Sequence, residues 1–271
     1  MILLEMLSFP FLVRAFVVGV LVSLCAALLG ASLVLKRFSM IGDGLSHVGF
    51  GALAIASALG AAPLAVAVPV VVAAAVLLLR ISQSGKVRGD AAVALISSGA
   101  LAVGVLVISL TSGSNTNISN YMFGSILTLS ESDAVLSVVL CAVVLAVFTL
   151  FYPRIFAVTF DETFARATGT RAEGYNMLLA ILTAVTVVLG MRMMGALLIS
   201  SLIIFPALSA MRVFRSFRSV TVCSAVLAVC CFVAGMTASY ALETPSGASV
   251  VAVNILAFCA FALAGRLAGK R

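Results

Sequence analysis

Long uncharged stretches alternate with short polar segments along the whole chain. The first uncharged stretch long enough to cross a bilayer, which takes about 20 residues, is 16–35. The stretch 48–79 is too long for one span, and Pro63 divides it because proline disfavours helical backbone at the preceding residue. This spacing predicts about nine spans, within a range of eight to ten. The predicted spans are 16–35, 42–60, 64–80, 91–110, 134–153, 175–192, 194–211, 219–241 and 249–266.

The composition indicates that these stretches lie in lipid. Of the 271 residues, 63% are hydrophobic and only 9% are charged, whereas a typical soluble domain has about 25% charged residues. A soluble protein cannot bury this much apolar surface, so the solvent for most of the chain must be a bilayer. We therefore expect an all-α, polytopic transmembrane helix bundle that forms a single domain over residues 1–271.

The basic residues are unevenly divided between alternate loops. With the N-terminus outside, the inner loops hold 14 of the 16 basic residues. These are Lys36, Arg37, Arg80, Lys86, Arg88, Arg154, Arg166, Arg171, Arg212, Arg215, Arg218, Arg266, Lys270 and Arg271. The positive-inside rule then predicts an outside N-terminus and a cytoplasmic C-terminus. The exceptions, Arg14 and Arg192, lie near predicted outer ends of spans, where long side chains can snorkel.

Several functional classes are not expected. The net charge is +7, but the basic residues are scattered between apolar runs, so the chain does not resemble a nucleic-acid-binding protein. No phosphate-binding G-x-x-x-x-G-K-[ST] motif occurs, and no Ser/His/Asp or Cys/His set lies outside the spans. The six cysteines fall within apolar runs and form no CxxC pair, which is typical of packing thiols. We expect no enzymatic activity from this chain.

The segment IGDGLSHVGF, residues 41–50, contains the only histidine of the chain, four residues after Asp43. On a helix, Asp43 and His47 face the same way. Ionisable groups within a span usually line a bundle interior or a watery path, and a carboxylate with an imidazole suits Zn²⁺, Mn²⁺ or Fe²⁺. The alternative is that Asp43 caps the helix and hydrogen-bonds His47. Two ligands are few, so water, a backbone carbonyl or a second subunit would have to complete a metal site.

The polar segment VTFDETFARATGTRAEG, residues 158–174, predicts a short helix outside the spans. Asp161 suits the N-cap and Gly169 the position after the C-cap. Phe160 and Phe164 are four residues apart and so share one face. The segment is either an amphipathic helix on the membrane surface or one that docks into a partner protein.

Two further segments have distinctive patterns. Pro206 lies late in a predicted span and should kink it, while Ser200 and Ser201 can hydrogen-bond locally or to a neighbouring helix. The basic residues within 212–218 are expected to anchor that span at the inner surface. The longest outer segment, 111–133, is either a short helix over the mouth of a path or an ordinary loop.

Five motifs resemble those of the membrane-spanning permease subunit of bacterial ABC importers for zinc, manganese and iron(II). In chain order they are LLGASLVLKRFSMIGDGLSHVGFGALAIA, NYMFGSIL, FDETFARATG, MMGALLISSLIIFPALSAM and TPSGASVVAVN. The resemblance extends from about residue 12 to residue 266. It implies a fold like that of the type II ABC importers and a location in the bacterial plasma membrane.

The resemblance also implies roles for individual residues. Asp43 and His47 become candidate metal contacts in a translocation path, and residues 159–169 become a coupling helix that docks into an ATPase subunit. The candidate coupling residues are Phe160, Asp161, Glu162, Phe164, Ala165 and Gly169. Zinc is the first candidate cargo, because HVGFG lacks the proline–glycine pair of many manganese-type members, and manganese or iron follows. No resident cofactor is implied.

The implied assembly contains two copies of this chain, two ATP-binding cassette subunits and an extracellular or periplasmic metal-binding protein, surrounded by membrane lipid. Arg192 departs from the family pattern, which often has an uncharged polar residue there. Three alternatives remain: a secondary transporter coupled to an ion gradient through Asp43, a non-transporting membrane scaffold, and an ABC permease for a metal chelate.

Overall fold

The computed structural model describes residues 9–83, 89–111 and 130–267, and it is helical throughout these ranges. The helices are α1 (Pro10–Leu35), α2 (Met40–Ala58), α3 (Pro63–Gln83), α4 (Gly89–Thr111), α5 (Glu131–Leu150), α6 (Tyr152–Phe160), α7 (Glu162–Ala167), α8 (Ala172–Met194), α9 (Ala196–Val213), α10 (Phe217–Leu242) and α11 (Ser246–Leu267).

Each predicted span corresponds to one long helix. The largest difference is at α1, which begins at Pro10 because proline is well suited to the first helical position, where its missing N–H removes no helical hydrogen bond. Among the described helices, eight are long and apolar enough to cross a membrane. The ninth predicted span, α2, is not one of these eight, because Asp43, Ser46 and His47 lower its mean hydropathy. The count of nine stays a prediction that depends on α2.

The bundle is organised around α1 and α8, which are the most deeply buried of the eight apolar helices. Helix α1 packs against α5, α8, α9 and α10, and α2 packs against α3 and α4. Gly30 allows α1 to approach α9 closely, since an added Cβ would lie 2.0 Å from the carbonyl oxygen of Ile203. Helices α4 and α11 bury little of their apolar surface within the chain and leave it available to lipid or to a partner.

A single residue, Gly195, separates α8 from α9. Its φ of +85° lies in the region that only glycine adopts readily, so the chain can reverse direction there without a longer loop. The reversal brings the start of α9 back against the bundle, where α9 packs against α1, α2, α8 and α11. It therefore determines where Ser200 lies.

Two ion pairs join predicted outer residues at one end of the bundle. Arg14 contacts Glu131 at 2.8 Å, and Arg192 contacts Asp133 at 3.3 Å. The two arginines that were exceptions to the charge distribution are thus neutralised by carboxylates in the first turn of α5. This arrangement agrees with the predicted alternation of the helices, while the absolute orientation stays a prediction.

Candidate metal site and coupling segment

Helix α2 brings Asp43 and His47 together on one face. Asp43 Oδ2 lies 3.7 Å from His47 Nε2, and the two side chains are 41% and 23% exposed. The Ser200 hydroxyl of α9 donates a hydrogen bond to Asp43 Oδ1 at 3.1 Å. The Ser46 hydroxyl donates to the backbone carbonyl of Asp43 at 2.7 Å and does not engage the carboxylate. Both side chains are therefore partly accessible, and the Ser200 hydrogen bond leaves Asp43 Oδ2 on the side of His47 Nε2.

The interpretation of Asp43 as a helix cap is wrong. The N-cap of α2 is Ser39, whose side chain makes no capping hydrogen bond, and Asp43 lies within the first turn. The 3.7 Å separation from His47 is also longer than a hydrogen bond. A carboxylate in the first turn still interacts favourably with the helix dipole, but that interaction does not require a histidine.

The pair alone is an incomplete metal site. In the described part of the chain, no group of three or more His, Cys, Asp or Glu side chains is placed to hold a metal ion. Tetrahedral or octahedral coordination would need further ligands, for which water and the Ser200 hydroxyl are at hand.

Ser200 also lies on an apolar groove of about 530 Å³ between α9 and α11. Sequence analysis indicated that Ser200 could bond to a neighbouring helix, but not that its partner would be Asp43. Its neighbour Ser201 bonds only locally, to the carbonyl of Leu198 at 2.8 Å. The adjacent serines thus differ in their partners, since Ser200 reaches Asp43 and Ser201 does not.

Helix α9 runs without interruption through Pro206, which is buried. Proline cannot donate the helical hydrogen bond that this position would otherwise make, so a local bend is expected. The predicted kink stays a prediction.

The predicted coupling helix, 159–169, consists of two helices rather than one. Helix α6 ends at Phe160 and α7 begins at Glu162, with Asp161 in extended conformation between them. Asp161 is the N-cap of α7, as predicted, and its Oδ1 accepts a hydrogen bond from the Phe164 N–H at 2.9 Å. Because the cap residue must leave the helical conformation, α6 and α7 cannot be continuous. Gly169 follows α7 with a φ of +84°, which agrees with its predicted position after the C-cap.

The candidate coupling residues face in different directions. Phe160 and Phe164 are 57% and 64% exposed, so they are available to a partner. Ala165 is fully buried in a small cluster with Val158 and Ala172. Its expected contact with an ATPase is therefore not possible in this conformation, and it instead holds α7 against the bundle.

Glu162 is only partly buried, with 36% of its side chain exposed, and it belongs to a polar network that the sequence pattern did not predict. Its Oε2 lies 3.7 Å from Lys36 Nζ and accepts a hydrogen bond from Asn176 Nδ2 at 3.1 Å. Its Oε1 accepts a hydrogen bond from Arg166 at 2.6 Å. Lys36 Nζ in turn donates to Asn176 Oδ1. We call Lys36, Glu162, Arg166 and Asn176 the Lys36 network.

Comparison with known proteins gives one consistent family. The ABC 3 transport family matches residues 8–264. The chain is 27% identical over 251 residues to the manganese import system permease protein ScaB of Streptococcus gordonii, which covers 93% of this chain and 90% of the relative. It is also 27% identical over 250 residues to the high-affinity zinc uptake system membrane protein ZnuB of Haemophilus influenzae, covering 92% and 96%.

A solved structure agrees with this match. PsaBC from Streptococcus pneumoniae in complex with Fab superposes with a TM-score of 0.84 at 26% identity, covering 96% of this chain and 95% of that one. The eight apolar helices and these relatives make this a multi-pass bacterial membrane protein. Since the family match spans nearly the whole sequence, the chain belongs to the ABC 3 transport family as a membrane permease.

Proposed function

We propose that this permease imports a divalent metal ion along a path that includes Asp43 and His47, driven by separate ATPase subunits. The observation that supports this most directly is the geometry of the pair. A carboxylate and the only histidine of the chain share one helix face, 3.7 Å apart and partly open, in an otherwise apolar bundle. Ionisable groups are costly in such surroundings and commonly mark an ion path.

The ligand set favours transient binding. Ser200 occupies one oxygen of Asp43, so Oδ2 and the imidazole remain for the ion. Conduction requires sites from which an ion can leave, and two protein ligands supplemented by water meet that requirement. Zinc is the first candidate cargo, followed by manganese and iron(II), because all three accept oxygen and nitrogen ligands. The relatives are named for both manganese and zinc, so they do not distinguish these metals.

The proposed assembly has two copies of this chain, two ATPase subunits and an extracellular or periplasmic metal-binding protein. The exposed Phe160 and Phe164 give the coupling segment, residues 159–169, an apolar surface for an ATPase groove. We place this segment in the cytoplasm and the N-terminus outside, because that orientation puts most basic residues inside. A second copy would complete the path beside Asp43.

The test is co-purification with a candidate ATPase, followed by reconstitution in proteoliposomes. Zinc, manganese and iron(II) are each added with ATP, and ATP hydrolysis and metal uptake are measured together. The proposal expects uptake that requires both the ATPase and ATP, with hydrolysis stimulated by the transported metal. Uptake by this chain alone, driven by an ion gradient, would instead indicate a secondary transporter.

A further inference from the structure

Lys36 is a charged residue in a nearly closed environment. It directly follows α1, and its side chain is only 8% exposed. A buried ammonium group is costly unless it is paired and hydrogen-bonded. Its neighbour Arg37 is exposed, so the two adjacent basic residues differ in environment. A positive-inside anchor would not need to be buried, which indicates a more specific use for Lys36.

Asn176 connects Lys36 to the coupling segment. This residue of α8 is 7% exposed and uses both ends of its amide. Its Oδ1 accepts from Lys36 Nζ, and its Nδ2 donates to Glu162 Oε2 at 3.1 Å. The network thereby joins three parts of the chain that are distant in sequence, namely the end of α1, the first turn of α7 and α8.

Glu162 is the one carboxylate of the Lys36 network, and it faces two cations, Lys36 and Arg166. Burial lowers the pKa of Lys36, and the Glu162 carboxylate partly offsets this effect. Burial raises the pKa of Glu162, but the hydrogen bond from Asn176 and the charges of Lys36 and Arg166 outweigh it, so that pKa is lowered overall. Glu162 therefore stays ionised at neutral pH.

The turn after Lys36 links the network to the metal-ligand candidates. Phe38 N donates to the carbonyl of Leu33 at 2.9 Å, and Ile41 N donates to the carbonyl of Phe38 at 3.1 Å. The turn is thus hydrogen-bonded to α1 on one side and to the start of α2 on the other. Asp43 follows within the first turn of α2, so this one hydrogen-bonded turn connects Lys36 to the helix that holds Asp43 and His47.

We propose that Lys36 is a positioning residue which, through Asn176 and Glu162, transmits movement of α7 to α2 and so to the metal path. This inference rests on the proposed function, and it assigns a different role to each side of α7. The exposed Phe164 binds the ATPase, while Glu162, which contacts the buried Lys36, passes the movement on.

The structure allows transmission to be separated from assembly. Without the Lys36 ammonium, Glu162 would keep its hydrogen bonds to Arg166 and Asn176. The Asp161 cap and the buried Ala165 would continue to hold α7 in place. Lys36→Met should therefore leave the docking surface intact and disconnect it from α2.

The experiment compares proteoliposomes that contain the ATPase with wild-type permease, Lys36→Met, Lys36→Arg or Arg37→Met. Three quantities are measured: binding of the ATPase, ATP hydrolysis, and metal taken up per ATP hydrolysed. We expect Lys36→Met to bind the ATPase normally but to lose about tenfold in uptake per ATP, within the usual range of coupling between sites. Lys36→Arg should retain most of the coupling because it keeps the charge, and Arg37→Met should match the wild type.

Each other outcome has a defined meaning. Wild-type uptake per ATP in Lys36→Met would overturn the inference and leave the proposed function standing. Loss of ATPase binding in Lys36→Met would also overturn it, because Lys36 would then be a structural anchor. If Lys36→Met does not insert into the membrane, Glu162→Gln becomes the variant that tests the inference. Its glutamine can still accept a hydrogen bond from Asn176, but it lacks the carboxylate charge that pairs with Lys36. Normal coupling or failed insertion in Glu162→Gln would overturn the inference, and absence of uptake by the wild-type complex would overturn both proposals.

Discussion

Ser200 donates a hydrogen bond to Asp43 at 3.1 Å and so connects α9 to α2 at the candidate metal site. The bond occupies Oδ1 of the carboxylate and leaves Oδ2 on the side of His47, 3.7 Å from its Nε2. Ser200 also lies within reach of its own helix carbonyl at Ala196, at 3.2 Å. Its hydroxyl is therefore placed to orient Asp43 at the proposed metal site.

Ser200→Ala should raise the metal concentration needed for half-maximal uptake. Loss of one hydrogen bond to a partly exposed carboxylate is expected to cost about 1 kcal/mol, or roughly fivefold in affinity. Ser201→Ala is the matched control, because Ser201 bonds only to the carbonyl of Leu198. Initial rates of uptake across a series of metal concentrations measure the effect. Equal changes in the two variants would show that Ser200 has no special relation to the metal.

Phe164→Ala should weaken ATPase binding without destabilising the permease. Phe164 is 64% exposed in the free chain, so its truncation opens no cavity there. If its ring becomes buried in the ATPase groove, truncation should cost about 3–5 kcal/mol of binding free energy. Co-purification yield and thermal stability of the isolated permease are the two measurements. The internal control is Phe148→Ala, which should lower the permease's thermal stability because that ring is buried in the core.

The proposed orientation predicts which engineered cysteines react with an impermeant thiol reagent. Thr244 is exposed in the turn between α10 and α11, and Thr168 is exposed after α7. Thr244→Cys should be labelled on intact cells and Thr168→Cys only after lysis, with the unsubstituted chain as the background. The reverse pattern would place the coupling segment outside, where no ATPase could reach it.

Metal uptake per ATP hydrolysed should fall as the pH is raised, at a pH lower than the one at which exposed lysines lose their protons. The pKa of Lys36 is lowered by burial, so its ion pair with Glu162 is present below that pKa and is lost as pH rises through it. Because this shift disfavours the charged form in the folded state, deprotonation of Lys36 should not reduce the free energy of unfolding. Glu162, whose pKa is lowered, loses its charge and its stabilising contribution only as pH falls through that lowered value.

The measurement is uptake per ATP as a function of pH, with Lys36→Arg compared at every point. Arginine stays protonated across the range, so this variant should keep its coupling at an alkaline pH where the wild type loses it. If uptake per ATP declined equally in the wild type and in Lys36→Arg, the pH effect would be assigned to the ATPase.

Local rules predicted much of this architecture from the sequence. Uncharged runs located the nine long helices of the described residues, and the chemistry of Asp161 and Gly169 located the ends of α7. The prediction that Phe160 and Phe164 share one helix face is wrong, because Phe160 ends α6 and Phe164 lies on α7, on opposite sides of the Asp161 cap. The motif NYMFGSIL lies outside the described residues, so the alternatives of short helix and loop for this outer segment stay open.

The contacts of Ser200 with Asp43 and of Lys36 with Asn176 could not be predicted. Ser200 and Asp43 are 157 residues apart, and Lys36 and Asn176 are 140 apart. Such pairs depend on how whole helices pack, which the local sequence does not reveal. The same residue types also commonly make contacts within their own segment. Serine often bonds within its own helix, and a lysine beside a span is normally an anchor.

The most direct test of the account is metal uptake by Asp43→Asn and His47→Gln. The introduced asparagine could still accept the Ser200 hydrogen bond but would lack the charge that attracts a cation, and the glutamine would replace a good nitrogen ligand with a poor oxygen one. Glu243→Gln is the control, since Glu243 is exposed in the turn between α10 and α11, distant along the chain from the pair. Cells producing each variant at matched levels are assayed with radioactive zinc and with radioactive manganese. The account predicts a sharp loss of uptake in both pair variants and normal uptake in the control, whereas near-normal uptake in both pair variants would contradict it.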